Sequence, residues 1–88
     1  MNVYYTIQFK KDYKRIKKQN KDLDKLRKII ELLSTGQVLD EKYHDHPLSG
    51  KWKKHRDCHI EPDWILIYRK SSDSIFFERT GSHSDLFK

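Results

Sequence analysis

Asp57 and His59 stand two residues apart in Arg56-Asp57-Cys58-His59-Ile60, a stretch that reads as a β-strand. Alternate residues of a strand share a face, so the carboxylate and the imidazole project together while Cys58 and Ile60 point the other way. Asp63 follows in the turn Glu61-Pro62-Asp63-Trp64, His83 follows the last strand, and His46 sits in the loop that leads into the sheet. Three imidazoles and two carboxylates can therefore meet on one face, with Arg56, Arg79 or the nearby Lys53 and Lys54 supplying positive charge. Such a set suits the breaking of an RNA chain without a metal. That reaction takes a base for the 2′-OH proton, an acid for the departing 5′-oxygen, and a cation or donor for the charge of the phosphorane-like transition state. Histidine, with an unperturbed pKa of about 6.5, serves as either acid or base. A carboxylate beside it fixes its tautomer and favours its protonated form.

Other chemistries fit less well. His44 with His46, or His46, His59 and His83 with Asp57, offer metal ligands of the right type, but no HExxH or CxxC spacing is present; the expectation is no metal and no cofactor. Cys58, the single cysteine, excludes an intramolecular disulfide and a multi-thiolate zinc site. On the inward face of its strand it reads as a small core residue, since nothing nearby favours a thiolate. Trp64 lies inside an apolar strand and reads as core, whereas Trp52, flanked by Lys51, Lys53 and Lys54, is the better platform for base stacking.

The positioning elements follow from period and punctuation. Val3, Tyr5 and Ile7 alternate with polar residues and predict a first strand. Phe9, Tyr13 and Ile16 among lysines predict a short amphipathic helix over 10–18. Asn20 is the expected N-cap of a second helix, with Asp22 and Asp24 in its first turn, the stripe Leu23, Leu26, Ile29, Ile30 and Leu33, and a stop at Gly36. A loop is expected over 37–50, a strand over 52–60, a doubly covered central strand over 64–68, a last strand over 75–80 and a helical turn in the tail. The order is βααβββ. It implies one α+β domain over 1–88, with a helical hairpin packed on one face of a mainly antiparallel sheet and the opposite face open.

Charge separates these parts. The chain of 88 residues carries a formal net charge of +6. Residues 10–28 hold ten basic and three acidic groups, a net of +7, so everything else is nearly balanced. The hairpin is thus a basic arm, with Lys10, Lys11, Lys14, Arg15, Lys17 and Lys18 as candidate contacts to a polyanion. The longest apolar run, Trp64 to Tyr68, is far too short to span a bilayer, and no apolar leader opens the sequence, so a cytoplasmic protein without a membrane partner is expected.

Three blocks carry a specific resemblance: Asp45-His46-Pro47-Leu48-Ser49-Gly50-Lys51-Trp52; Arg56 through Tyr68; and Arg79-Thr80-Gly81-Ser82-His83-Ser84-Asp85-Leu86-Phe87. In order and spacing they resemble the YafQ-type toxins of the RelE/ParE superfamily. The first forty residues match in architecture alone. The resemblance implies a RelE-like fold and the toxin half of a type II toxin–antitoxin pair, an mRNA interferase that enters the ribosomal A site and cuts mRNA. By position, His46, Asp57, His59, Asp63, His83 and Phe87 match residues on which such toxins depend. His59 and His83 would then be the proton-transfer pair, His46 a helper, Asp57 and Asp63 their tuning partners, and Phe87 a contact to the substrate base. The implied partners are mRNA, the ribosome and an acidic ribbon-helix-helix antitoxin whose complex binds operator DNA. His55 departs from the family pattern, where an aromatic is common. Two rival readings are a ParE-like inhibitor of DNA gyrase, which needs no acid–base residues, and a non-catalytic RNA-binding domain, which the basic helices alone would satisfy.

Overall fold

The computed structural model describes residues 1–87. Strand β1 (Asn2–Tyr5) leads into helices α1 (Ile7–Lys18) and α2 (Leu23–Ser34). A 3-10 turn over Glu41–Tyr43 and a two-residue strand β2 (His46–Pro47) come next, then a second 3-10 turn over Gly50–Trp52. Strands β3 (Arg56–Glu61), β4 (Trp64–Lys70) and β5 (Ser74–Gly81) follow, and the short helix α3 (His83–Leu86) is the last element among the described residues. The sheet order is β1-β5-β4-β3-β2, with β1 parallel to β5 and every other pair antiparallel.

Several boundaries differ from expectation, each for a local reason. The first strand stops at Tyr5 because Thr6 caps α1: its hydroxyl accepts from Phe9 N–H at 3.0 Å and donates to the Glu78 carbonyl at 2.9 Å. Ile7, expected on the buried strand face, is instead the first helical residue and 76% exposed. Asn20 does not cap α2. It sits just past α1 with a φ of 57°, while Asn20 N–H reaches the Lys17 carbonyl and Lys21 N–H the Ile16 carbonyl, a Schellman ending. Asp22 is the true cap of α2, accepting from Asp24 N–H at 3.1 Å. Gly36 ends α2 as expected, with a φ of 78°. The expected strand over 52–60 begins only at Arg56, and the expected loop contains β2, the fifth strand.

Central strand β4 is buried on both faces, as its apolar run requires. Trp64, Leu66 and Tyr68 pack toward the helices with Phe9, Ile16, Leu26, Ile29, Leu33, Ile75 and Phe77. Ile65 and Ile67 face away from them, and this second face is not open: Leu86 of α3, Leu48 and Trp52 cover it.

One buried carboxylate ties α1 to β5. Asp12, fully buried, accepts from Arg79 (2.8 and 3.2 Å), Arg15 (2.9 Å), Gln8 (3.2 Å) and Thr80 N–H (3.1 Å). Burial alone would raise its pKa; these donors outweigh that and hold the carboxyl below its usual value.

Candidate active site

Strand register builds the site. Asp57 pairs with Ile67 and His59 with Ile65, so both project from the face that bears Ile65 and Ile67, whereas Cys58, opposite Leu66, lies in the helix-side core. Burial pushes the Cys58 thiol up, in keeping with a packing role. β2 places His46 directly opposite Asp57. Asp63 lies in the two-residue turn between β3 and β4, and α3 presents His83 as its first residue.

The three expected imidazoles converge with both carboxylates. The rings of His59 and His83 lie 5.4 Å apart at 60°, edge to face. His83 is held twice by Asp63: its Nδ1 is 2.8 Å and its backbone N–H 3.0 Å from Asp63 Oδ1. Those same bonds keep the exposed Asp63 carboxyl below its usual pKa. His59 Nδ1 is 3.3 Å from the Pro62 carbonyl, and His46 Nδ1 is 2.8 Å from the His44 carbonyl. Each ring is thus anchored through Nδ1 to an oxygen. That assigns the proton of the neutral ring to Nδ1 and leaves Nε2 with a free lone pair.

Asp57 is handled differently. It is 3% exposed, and its Oδ1 lies 3.1 Å from His46 Nδ1. That nitrogen aims its hydrogen bond at His44, however, so Oδ1 is buried without a hydrogen bond among the described residues. Burial raises the Asp57 pKa, opposed by the charges of His46, His59 and His83.

Other candidates fall elsewhere. Phe87 is beside the cluster, its ring 6.1 Å from that of His83 and 38% exposed. Arg56 and Arg79 are not brought to it: Arg56 donates to Asp45 at 3.2 Å, and Arg79 is committed to Asp12. Trp52 is not a free stacking platform, being packed on Ile65 and Ile67 with its ring edge-on to His55 at 5.1 Å. Lys53 and Lys54 beside it are exposed. Along the arm, Lys10, Lys11, Lys14, Lys17 and Lys18 are exposed as expected. Arg15 instead turns inward to Asp12, the Thr80 carbonyl and Asp85.

Two contributors lie outside the expected acid–base set. His44, at a φ of 49°, supplies the carbonyl that anchors His46, and its ring stands 5.8 Å from that of His59. Asp45 accepts from Tyr68 Oη at 2.7 Å as well as from Arg56, clamping the loop that carries His46 onto β3 and β4. No sequence signal marks His44 beyond its neighbour His46, and the Tyr68 contact spans 23 residues. Among the described residues no three His, Cys, Asp or Glu groups are placed to hold one metal ion.

A helical hairpin on a mixed sheet of this order, with an imidazole–carboxylate cluster at the sheet edge, is the RelE-like fold. The sequence profile described as bacterial toxin of type II toxin-antitoxin system, YafQ, matches residues 1–88. The chain belongs to that family. It is 46% identical over 87 residues to the mRNA interferase toxin YafQ of Escherichia coli K12, covering 98% of this chain and 95% of that one. The toxin in the crystal structure of the E. coli DinJ–YafQ complex superposes with a TM-score of 0.92 at 45% identity, over 99% of this chain and 98% of that chain. A metal-bound toxin from Helicobacter pylori gives a TM-score of 0.92 at 40% identity, over 99% of each chain. No helix among the described residues is long and apolar enough to cross a membrane.

Proposed function

We propose that this toxin, like its E. coli relative, is an mRNA interferase: an endoribonuclease that enters the ribosomal A site and cuts mRNA by acid–base catalysis without a metal. The observation that carries this reading is the set of three rings, His46, His59 and His83, each anchored through Nδ1, with no hydrogen bond to Nε2 among the described residues. His59 and His83, 5.4 Å apart, are the proton-transfer pair: one takes the 2′-OH proton and the other protonates the 5′-oxygen. His46, exposed beside them, assists the acid–base steps or meets the phosphate. Asp63 orients His83. Asp57, buried 3.1 Å from the His46 ring, orients the imidazoles beside it. Phe87, against His83, positions the substrate base.

The exposed lysines of α1 dock on ribosomal RNA, which places the protein's action in the cytoplasm. A ribbon-helix-helix antitoxin, acidic enough to answer the basic arm, covers the toxin, and the complex represses its operator through the antitoxin's DNA-binding part. The DinJ–YafQ complex supports such a partner.

Primer extension on a translated reporter mRNA after brief induction tests the reaction. Cuts that depend on translation and vanish in the triple variant His46→Ala, His59→Ala, His83→Ala are expected. Supercoiling defects without cuts would assign the gyrase-inhibiting function instead, and arrest without cuts a purely binding one.

A further inference from the structure

Beside the histidine cluster the surface opens into a cleft of about 890 Å³ between α2 and the turn Glu41–Tyr43, within the roughly 300–1,000 Å³ typical of ligand sites. His46 and His59 form part of its wall, so the cleft and the cluster share one opening. Three ammonium groups line it, Lys25 and Lys28 from α2 and Lys42 from the turn, against one carboxylate, Glu61. Glu61 is taken by Lys25 at 3.0 Å. Lys28 and Lys42, both exposed, have no acidic partner among the described residues; Lys42 Nζ rests 5.1 Å from the centre of the Tyr43 ring. The cleft is therefore a concave, net positive surface that ends at the proposed proton-transfer groups. The sheet arginines are engaged elsewhere, Arg56 with Asp45 and Arg79 with Asp12.

We propose that this cleft is the binding groove for the single-stranded RNA that flanks the cut, with Lys28 and Lys42 each holding a backbone phosphate. The proposal rests on the mRNA-cleaving reading and deepens it. Lysine suits such a role as a mobile point charge that contacts a phosphate without reading a base. A strand with its scissile phosphate among the rings must leave the cluster on one side, and the cleft offers that side a path matched in charge.

Two measurements separate the groove from the reaction. In the first, fluorescence anisotropy follows a short single-stranded oligoribonucleotide with 2′-O-methyl groups, which cannot be cut. The double variant Lys28→Ala, Lys42→Ala is expected to bind on the order of tenfold more weakly, with a log–log salt slope shallower by about 1.4, or about 0.7 per lost phosphate contact. Lys70→Ala, an exposed change at the end of β4, is expected to leave both unchanged. In the second, cleavage on translating ribosomes is titrated with toxin; the double variant should need more protein for half-saturation while its maximal rate stays within about twofold of the parent. Equal affinity and equal salt slope for parent and double variant, or no oligonucleotide binding by the parent, would overturn the groove and leave its lysines to a protein partner. A parent that binds RNA through Lys28 and Lys42 yet cuts nothing would keep the groove and sink the reaction.

Discussion

Asp12 in α1 and Asp57 in β3 are both almost wholly removed from solvent, at 0% and 3% exposure, yet their surroundings push them in opposite directions. Asp12 meets two guanidinium groups, an amide and a backbone N–H, and its pKa falls. Asp57 meets imidazoles that aim their hydrogen bonds elsewhere, and its pKa rises. A buried carboxylate with a full set of donors is a structural joint, here between the first helix and the last strand. One left short of donors is paid for by the rest of the fold, and such exceptions in native proteins call for a functional account. The difference separates an acid of the scaffold from one that the proposed reaction would use, a distinction that burial alone does not make.

The comparison breaks most forcefully at Asp12. Asp12→Ala leaves Arg79 partly buried without its carboxylate and takes from Arg15 one of its partners, so a loss of about 3–5 kcal/mol in folding free energy is expected from denaturant titration; a loss below about 1 kcal/mol would remove Asp12 from the scaffold. Gly81→Ala strikes the same joint from the other side. An added Cβ would stand 2.5 Å from Arg15 Nη2 and 3.0 Å from Asp85 Oδ2, so about 1–3 kcal/mol of strain is expected in the same titration.

Acid titration sharpens the contrast through its sign. The depressed pKa of Asp12 gives stability that is present above the unfolded value of about 3.9 and is lost as pH falls through the folded value. The raised pKa of Asp57 gives a contribution that is greatest below the unfolded value and is lost as pH rises through the folded one. Melting temperatures across acidic pH should therefore show Asp12→Asn flattening the acid-side loss, and Asp57→Asn gaining on the parent as pH rises; a reversed order would contradict the assignment. Smaller still is the effect at Asp63, which is exposed and, among the described residues, bonded to His83 alone. Asp63→Asn should leave folding unchanged while lowering cleavage and shifting its pH profile, because the ring loses the group that orients it; unaltered cleavage and profile would release His83 from that control.

Much of this was legible in the sequence because it depends on short-range periods. The alternation at Asp57 and His59 placed both on one face, and the run from Trp64 to Tyr68 marked the central strand. Gly36 ended α2 where its special backbone freedom suggested. What was not legible depends on distant partners. The capture of Arg56 by Asp45, 11 residues away, and of Arg79 by Asp12, 67 residues away, cannot be seen in local pattern; both arginines therefore read as substrate contacts. Arg15 looked like its lysine neighbours until the fold turned it onto Asp12 and Thr80. Asn20 misled because Asn suits both a cap and a left-handed ending, and the spacing to Asp22 decided between them only in three dimensions.

Under the proposed reaction, Asp57, buried short of donors, serves the imidazoles and not the fold. Purified Asp57→Asn, measured side by side with the parent for unfolding free energy at neutral pH and for cleavage on translating ribosomes, tests it directly. Stability equal to the parent within about 1 kcal/mol, or higher, is expected, because a buried charge is removed without loss of a side-chain hydrogen bond, together with a fall in cleavage of about a hundredfold. A variant that unfolds readily, or one that stays folded and cuts as fast as the parent, would contradict it.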